Sequence, residues 1–160
     1  MGFKETLSEL KKSSEFKEFR KENPDAYLCA AFFVINEKIE QRQIHFWLKE
    51  AKIATFIFNE DKTITLKKEE PLKRDIMQKL DEKINFDIED IQRLIEKEIK
   101  KDKQDVQISK IIAILQVLDD KQIWNITSLL SGLSMLRIHI NMDGKILEKT
   151  KGSVFDIVRK

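Results

Sequence analysis

The sequence predicts an α+β fold built from two similar halves, each a helix laid on an antiparallel meander. Three observations lead there. Apolar residues recur at helical spacing over 3–23 and 88–101 and mostly at strand spacing elsewhere. Polar turns such as Asn59-Glu60-Asp61-Lys62 and Asp143-Gly144 separate the alternating runs. The order helix, apolar strand, alternating strand, strand, turn, short strand occurs twice in 160 residues.

The first helix rests on Phe3, Leu7 and Leu10, continued by Phe16 and Phe19. Ser13-Ser14 is placed to split it, because serine competes for backbone hydrogen bonds and caps a new start. Pro24 ends it, since the residue before a proline is pushed out of the helical region. Residues 26–36 read as a strongly apolar strand. Residues 43–50 alternate, with Ile44, Phe46 and Leu48 on one side and His45, Trp47 and Lys49 on the other. Residues 52–58 and 63–67 complete the meander around the Asn59–Lys62 turn.

The second half opens with charge and helix signals. Pro71 suits a first helical turn, and Leu72, Ile76 and Leu80 have helical spacing. A clearer helix follows at 88–101, striped by Ile88, Ile91, Ile95 and Ile99. Asp87 is its expected N-cap, with Asp90 three residues on, a loose capping box. Residues 108–118 are apolar on both faces, 122–130 form the next strand, Gly132 breaks it, and 135–141 alternate. After Asp143-Gly144 a last strand starts at Ile146, and Ser153–Lys160 reads as a short helix capped by Ser153.

The halves match in residue detail. Gln43–Trp47 lines up with Gln122–Ile126, and Phe56–Ile64 lines up with Ile138–Ile146, with spacings that differ by three residues. The expected organisation is residues 1–69 and 70–150 as the two halves and 151–160 as a C-terminal helix, all in one compact unit. Neither half is large enough to be very stable alone. Both lead strands are apolar on both faces, where a one-sided sheet would alternate. The expectation is that the halves pack on each other around them, or that a homodimer covers the same surfaces.

Composition narrows the function. Lys and Arg number 30 against 28 Asp and Glu, a net charge of +2, which gives little attraction for phosphate. Hydrophobic residues make up 41%, enough for a packed core. The single cysteine, Cys29, lies in an apolar run, where a buried free thiol is expected. The first residues lack the build of a signal peptide, and no apolar stretch reaches membrane-spanning length, so a cytoplasmic protein is expected. The Asn125-Ile126-Thr127 sequon is then a chance match.

One stretch carries a family resemblance. Ile123-Trp124-Asn125-Ile126-Thr127, followed by Leu136 through Leu147 with its Asn141-Met142-Asp143-Gly144-Lys145 turn, resembles the PepSY domain of the cystatin-like group. That family is marked by a tryptophan- or tyrosine-bearing strand, a glycine break, and a strand ending in Asp and Gly-Lys before a hydrophobic pair. The resemblance covers about 108–148, with a degenerate echo at 27–67 that has no glycine in its turn. It implies two cystatin-like halves and a binding or inhibitory role, often towards peptidases, without catalytic residues or a cofactor.

The chemistry-bearing residues agree with a binding role. His45 and His139 are the only histidines, they fall in different strands of the two halves, and no Cys or His cluster has metal-ligand spacing. Cys29 and the serines at 128, 131 and 134 have no neighbouring base, and no glycine-rich phosphate loop occurs. The faces opposite the helices are expected to carry His45 and Trp47 in one half and Asn125, Thr127, Arg137 and His139 in the other. Trp and Arg are enriched where proteins bind one another. The competing structural reading is that these residues line the contact between the halves. Phe155, in the C-terminal segment, is a second candidate contact. The reading is therefore a non-enzymatic protein-interaction module. A nucleic-acid-associated factor using a sheet face with Trp, His and Arg comes second, and an enzyme third.

Overall fold

The computed structural model describes residues 2–70, 76–101 and 106–153. Two short helices come first, α1 (Phe3–Lys12) and α2 (Ser14–Glu22). The break falls at Ser13, whose hydroxyl accepts from the Phe16 N–H at 3.1 Å and donates to the Leu10 carbonyl at 2.6 Å. The strands β1 (Tyr27–Asn36), β2 (Lys38–Leu48), β3 (Lys52–Phe58) and β4 (Ile64–Glu69) follow. After α3 (Ile88–Lys101) come β5 (Ile108–Leu118), β6 (Lys121–Leu130), β7 (Ser134–Asn141) and β8 (Ile146–Ser153). The α+β class expected from the sequence is what these elements form.

All eight strands lie in one antiparallel sheet, in the order β4-β3-β2-β1-β5-β6-β7-β8. The lead strands β1 and β5 therefore meet side by side, with Phe32 opposite Ile114 in their ladder. This corrects the expectation that the halves pack face to face. The two meanders instead share one sheet, and α1, α2 and α3 lie on one side of it. On that side Phe16 and Phe19 of α2 stack against Phe46 and Phe56 with ring centroids 5.0–5.8 Å apart. Ile91 and Ile95 of α3 bury in the same core as Leu115, Ile126 and Ile138.

Register reveals a constant offset. Ala31 lies opposite Ile44, and Ile44 opposite Phe56. Residues 82 positions later repeat this: Ala113 lies opposite Ile126, and Ile126 opposite Ile138. The turns keep the same interval. Positive φ occurs at Glu37 and Asp119, at Glu50 and Gly132, and at Lys62 and Gly144. In the last pair the hydrogen bonds also match: Asn59 N–H to Thr63 O and Asn141 N–H to Lys145 O, both 2.9 Å. Ile44 thus corresponds to Ile126 and not to Ile123, and the three-residue discrepancy of the sequence alignment disappears. Lys62 holds φ 72° where the later turn has glycine, a conformation that costs an L-residue roughly 1 kcal/mol. Lys62→Gly should raise the thermal unfolding midpoint, measured by circular dichroism, whereas Lys62→Ala should not.

Residues 76–80, which the sequence reads as helix, form neither helix nor strand; Pro71–Asp75 of that expected helix lie outside the described residues. Ile76 is 75% exposed, so it takes no part in an apolar stripe. The segment from Ile76 to Asp87 is a strap. Leu80 N–H bonds the Leu28 carbonyl, Asp81 N–H bonds the Gln122 side chain, and the Trp124 indole N–H bonds the Phe86 carbonyl. Distance explains why the segment is not a helix. Twelve residues of helix cover about 18 Å, whereas extended chain covers about twice that, and the strap runs from the start of β1 past β6 to α3. At its end the Asp87 carboxylate departs from the expected capping box. It accepts from Phe3 N–H at 2.8 Å and Lys4 N–H at 3.3 Å, so it caps α1 as well as bonding Ile88 N–H at 2.7 Å. Asp90 accepts from Asp87 N–H at 2.9 Å, the other half of the box. A carboxylate beside those free N–H groups is favoured by the helix dipole.

The last strand runs further than the sequence implied. Ser153 pairs with Ser134 in β8 instead of capping a helix, and 154–160 of that expected helix lie outside the described residues. Both edge strands set lysines on the core side: Lys68 opposite Ala54, Lys149 opposite Ile138 and Lys151 opposite Leu136. Inward charge of this kind discourages another strand from adding to the edge. Lys149 also bonds Glu98 of α3 at 2.9 Å, and Lys101 lies 3.6 Å from the same carboxylate. Glu98 is only 6% exposed, and the Lys149 hydrogen bond leads the interactions that hold its pKa below the ordinary glutamate value. A carboxylate with a depressed folded pKa stabilises the fold above its unfolded value near 4.5 and loses that contribution as pH falls through the folded value. Urea midpoints measured against pH should therefore fall less steeply on acidification for Glu98→Gln than for the natural chain. At neutral pH the variant should be the less stable of the two.

Candidate binding face

The side of the sheet away from the helices is built by strand alternation. Cross-strand partners share a face, so the register reads off its rows directly. The central row runs Thr65, Ile57, Gln43, Phe32, Ile114, Asn125, His139, Glu148. On one side of it lies the row Gln41, Val34, Ile112, Thr127, Arg137, Thr150. On the other lie Lys67, Thr55, His45 and Ala30. Each of these residues points away from the helical core.

The structure brings the expected site residues onto this one face but in two groups. Asn125 lies opposite His139, and Thr127 opposite Arg137, so these four form a block on β6 and β7. The His139 ring nitrogen Nδ1 is 3.5 Å from the Glu148 carboxylate. His45 and Trp47 lie on β2, which β1 and β5 separate from β6, about 14 Å away at the usual strand spacing. Phe155 lies outside the described residues. Lys49 sits in the turn after β2 and pairs with Asp25 at 2.9 Å.

His45 is half-buried, with its Nε2 3.1 Å from the Gln43 side-chain oxygen. Burial pushes its pKa down, against a smaller upward pull from Glu69, so the ring is neutral at pH 7. Trp47 is 9% exposed, wedged between Tyr27 and Ile53, so little of its ring is offered to a ligand. Cys29 sits at a bulge between the two, its thiol bonded to the His45 carbonyl and pushed by burial up to about 12. A thiol held that high is not a nucleophile at neutral pH.

Sequence reasoning passed over the middle of the face. Phe32, Ile112 and Ile114 are half-buried there, beside a buried Val34. Their signal was the apolarity of β1 and β5 on both sides. With the lead strands paired edge to edge, one apolar side meets the helices and the other forms an apolar strip between the two polar groups. The residues that mark the family resemblance serve the fold instead. Trp124 is fully buried and faces the helices, Gly132 takes φ 76° at the break, and Gly144 takes φ 86° beneath the Phe86 ring. Among the described residues no group of three His, Cys, Asp or Glu side chains is placed to hold a metal ion, and no helix is long and apolar enough to cross a membrane.

No family model matches the chain, and no curated protein matches it. Among solved structures it is similar to a Clostridium difficile 630 protein provisionally assigned as a lipoprotein. The two share 17% identity, with a TM-score of 0.53, over 86% of this chain and 90% of that one. At that identity the likeness is one of fold.

Proposed function

We propose that this chain is a non-enzymatic protein-interaction module, of the adaptor or inhibitor kind, that binds a protein through the helix-free face of its sheet. One observation carries the reading: a single face joins an apolar strip on β1 and β5 to the Asn125–His139 and Thr127–Arg137 block. An apolar centre beside polar and Arg-bearing shoulders is the usual anatomy of a protein interface. The two meanders are read as tandem cystatin-like, PepSY-like units spanning 1–69 and 70–150, supported by the 82-residue interval between matching turns, such as Lys62 and Gly144. The segment 151–160, with Phe155, is read as a second point of contact. The free thiol of Cys29 suits a reducing compartment, and the proposal places the protein in the cytoplasm.

A tagged full-length chain, captured from its own nuclease-treated cell extract, should retain one protein in stoichiometric amount. Arg137→Ala, at an exposed position, should lower that retention at least several-fold. Retention seen only when the nuclease is omitted would point to nucleic acid instead. Retention unchanged by Arg137→Ala and by Gln43→Arg would rule out this face.

A further inference from the structure

We infer that the protein bound by the helix-free face is a second copy of this chain, stacked sheet against sheet about a two-fold axis in the plane of the face. The inference rests on the reading of that face as a protein-binding surface and names its occupant. Three features of the face point to its own copy.

The first is charge. On the four inner strands, the rows through Gln43–Asn125 and Gln41–Thr127 hold no Lys, Arg, Asp or Glu side chain. Like charges oppose like when a face meets itself, and here the centre has none to oppose. Charges lie towards the strand ends, as Lys110 on β5, which pairs with Glu40 at 3.4 Å, and outward, as Lys67 and Glu69 on β4 and Arg137 and Glu148 on β7 and β8. A phosphate-bearing partner would find no positive centre.

The second is symmetry. The Phe32–Ile114 pair marks the midpoint of both the face and the 82-residue offset. Any in-plane two-fold axis through that point lays the pair on its own image, which is the isologous contact of a two-fold dimer. Gln43 and Asn125 flank the pair on either side. Each amide carries donors and an acceptor, so amide meets amide with hydrogen bonds satisfied whichever of the two it faces.

The third is area. Eight strands at the usual spacing, six to eleven residues in length, present on the order of 1,100 Å², enough for the roughly 800 Å² that each partner contributes to a standard interface. Sheet-on-sheet packing then covers the second apolar side of β1 and β5 in the way β-sandwiches do.

Light scattering coupled to size exclusion, on the full chain across a concentration series, tests this. The natural chain should run at twice its own mass and dissociate on dilution. Ile114→Glu, which would bury a charge at the centre of the contact, should run as a monomer with unchanged circular dichroism. Gln43→Arg should raise the dimer dissociation constant at least tenfold, and it decides the matter if Ile114→Glu fails to fold. A natural chain that stays monomeric throughout, or a dimer that neither substitution weakens, would overturn the inference. If the chain is monomeric but Gln43→Arg still abolishes capture of a different protein, the face binds protein and its occupant is not a second copy.

Discussion

Replacing Trp124 with alanine should cost about 3–5 kcal/mol of folding stability, the range for truncating a fully buried large aromatic. Trp124 is 0% exposed, 6.1 Å from the Phe33 ring centroid, and its indole N–H bonds the Phe86 carbonyl at 2.7 Å. It therefore ties the Ile76–Asp87 strap to the sheet as well as filling the core. Trp124→Phe keeps most of the apolar volume but leaves that carbonyl without its donor, a loss of about 1–3 kcal/mol. Urea unfolding of the three proteins should rank them natural chain, Trp124→Phe, Trp124→Ala. Equal stability of the two variants would mean that the hydrogen bond to the strap contributes nothing. Typical domains have only about 5–15 kcal/mol in hand, so the alanine variant should already be partly unfolded in mild denaturant.

The second large effect lies in the last hairpin. Gly132 and Gly144 both hold positive φ, at 76° and 86°. They differ in what an added methyl group would meet. At Gly132 nothing lies within 4 Å, whereas at Gly144 a Cβ would come within 2.7 Å of the Phe86 ring. Gly132→Ala should thus show the backbone cost alone, about 1–2 kcal/mol for a left-handed residue. Gly144→Ala should add the displacement of Phe86, an overpacking penalty of about 1–3 kcal/mol more. Gly144→Ala combined with Phe86→Leu should recover part of the difference, a coupling that a double-mutant cycle reads directly.

Much of this architecture is written in local sequence. Ser13 announces the α1–α2 break because its side chain can serve both helix ends at once. Asp143-Gly144 announces a hairpin because only glycine takes φ 86° without strain. The period-two alternation of β2 and β7 is enough by itself to place His45 and His139 away from the core. What is not local was not legible. The Leu72-Ile76-Leu80 spacing looks helical, yet the described part of that stretch is strap, because its course is set by distant partners on β1 and β6. Double-sided apolarity in β1 and β5 says that both faces touch something apolar or stand ready to. It does not distinguish stacked halves from halves joined edge to edge, since strand pairing between residues 32 and 114 leaves no trace in either segment alone. The candidate site shares this limit. Period-two patterning assigned Asn125, Thr127, Arg137 and His139 to a common face, but the strip between them and His45 exists only because β1 and β5 are neighbours. The offset was likewise hidden: the similarity of Gln43–Trp47 to Gln122–Ile126 is a sequence coincidence three residues out of register.

The helix-free face as a protein-binding surface is the claim on which the functional account stands. Side-chain footprinting by hydroxyl radicals tests it most directly, comparing the dilute purified chain with the same chain in its own concentrated, nuclease-treated extract. The account predicts that Phe32, Ile112, Ile114 and His139 lose reactivity in the extract while residues outside the face, such as the exposed Ile76 of the strap, keep theirs. Equal labelling of the face in both states, or protection confined to residues outside it, would contradict the account.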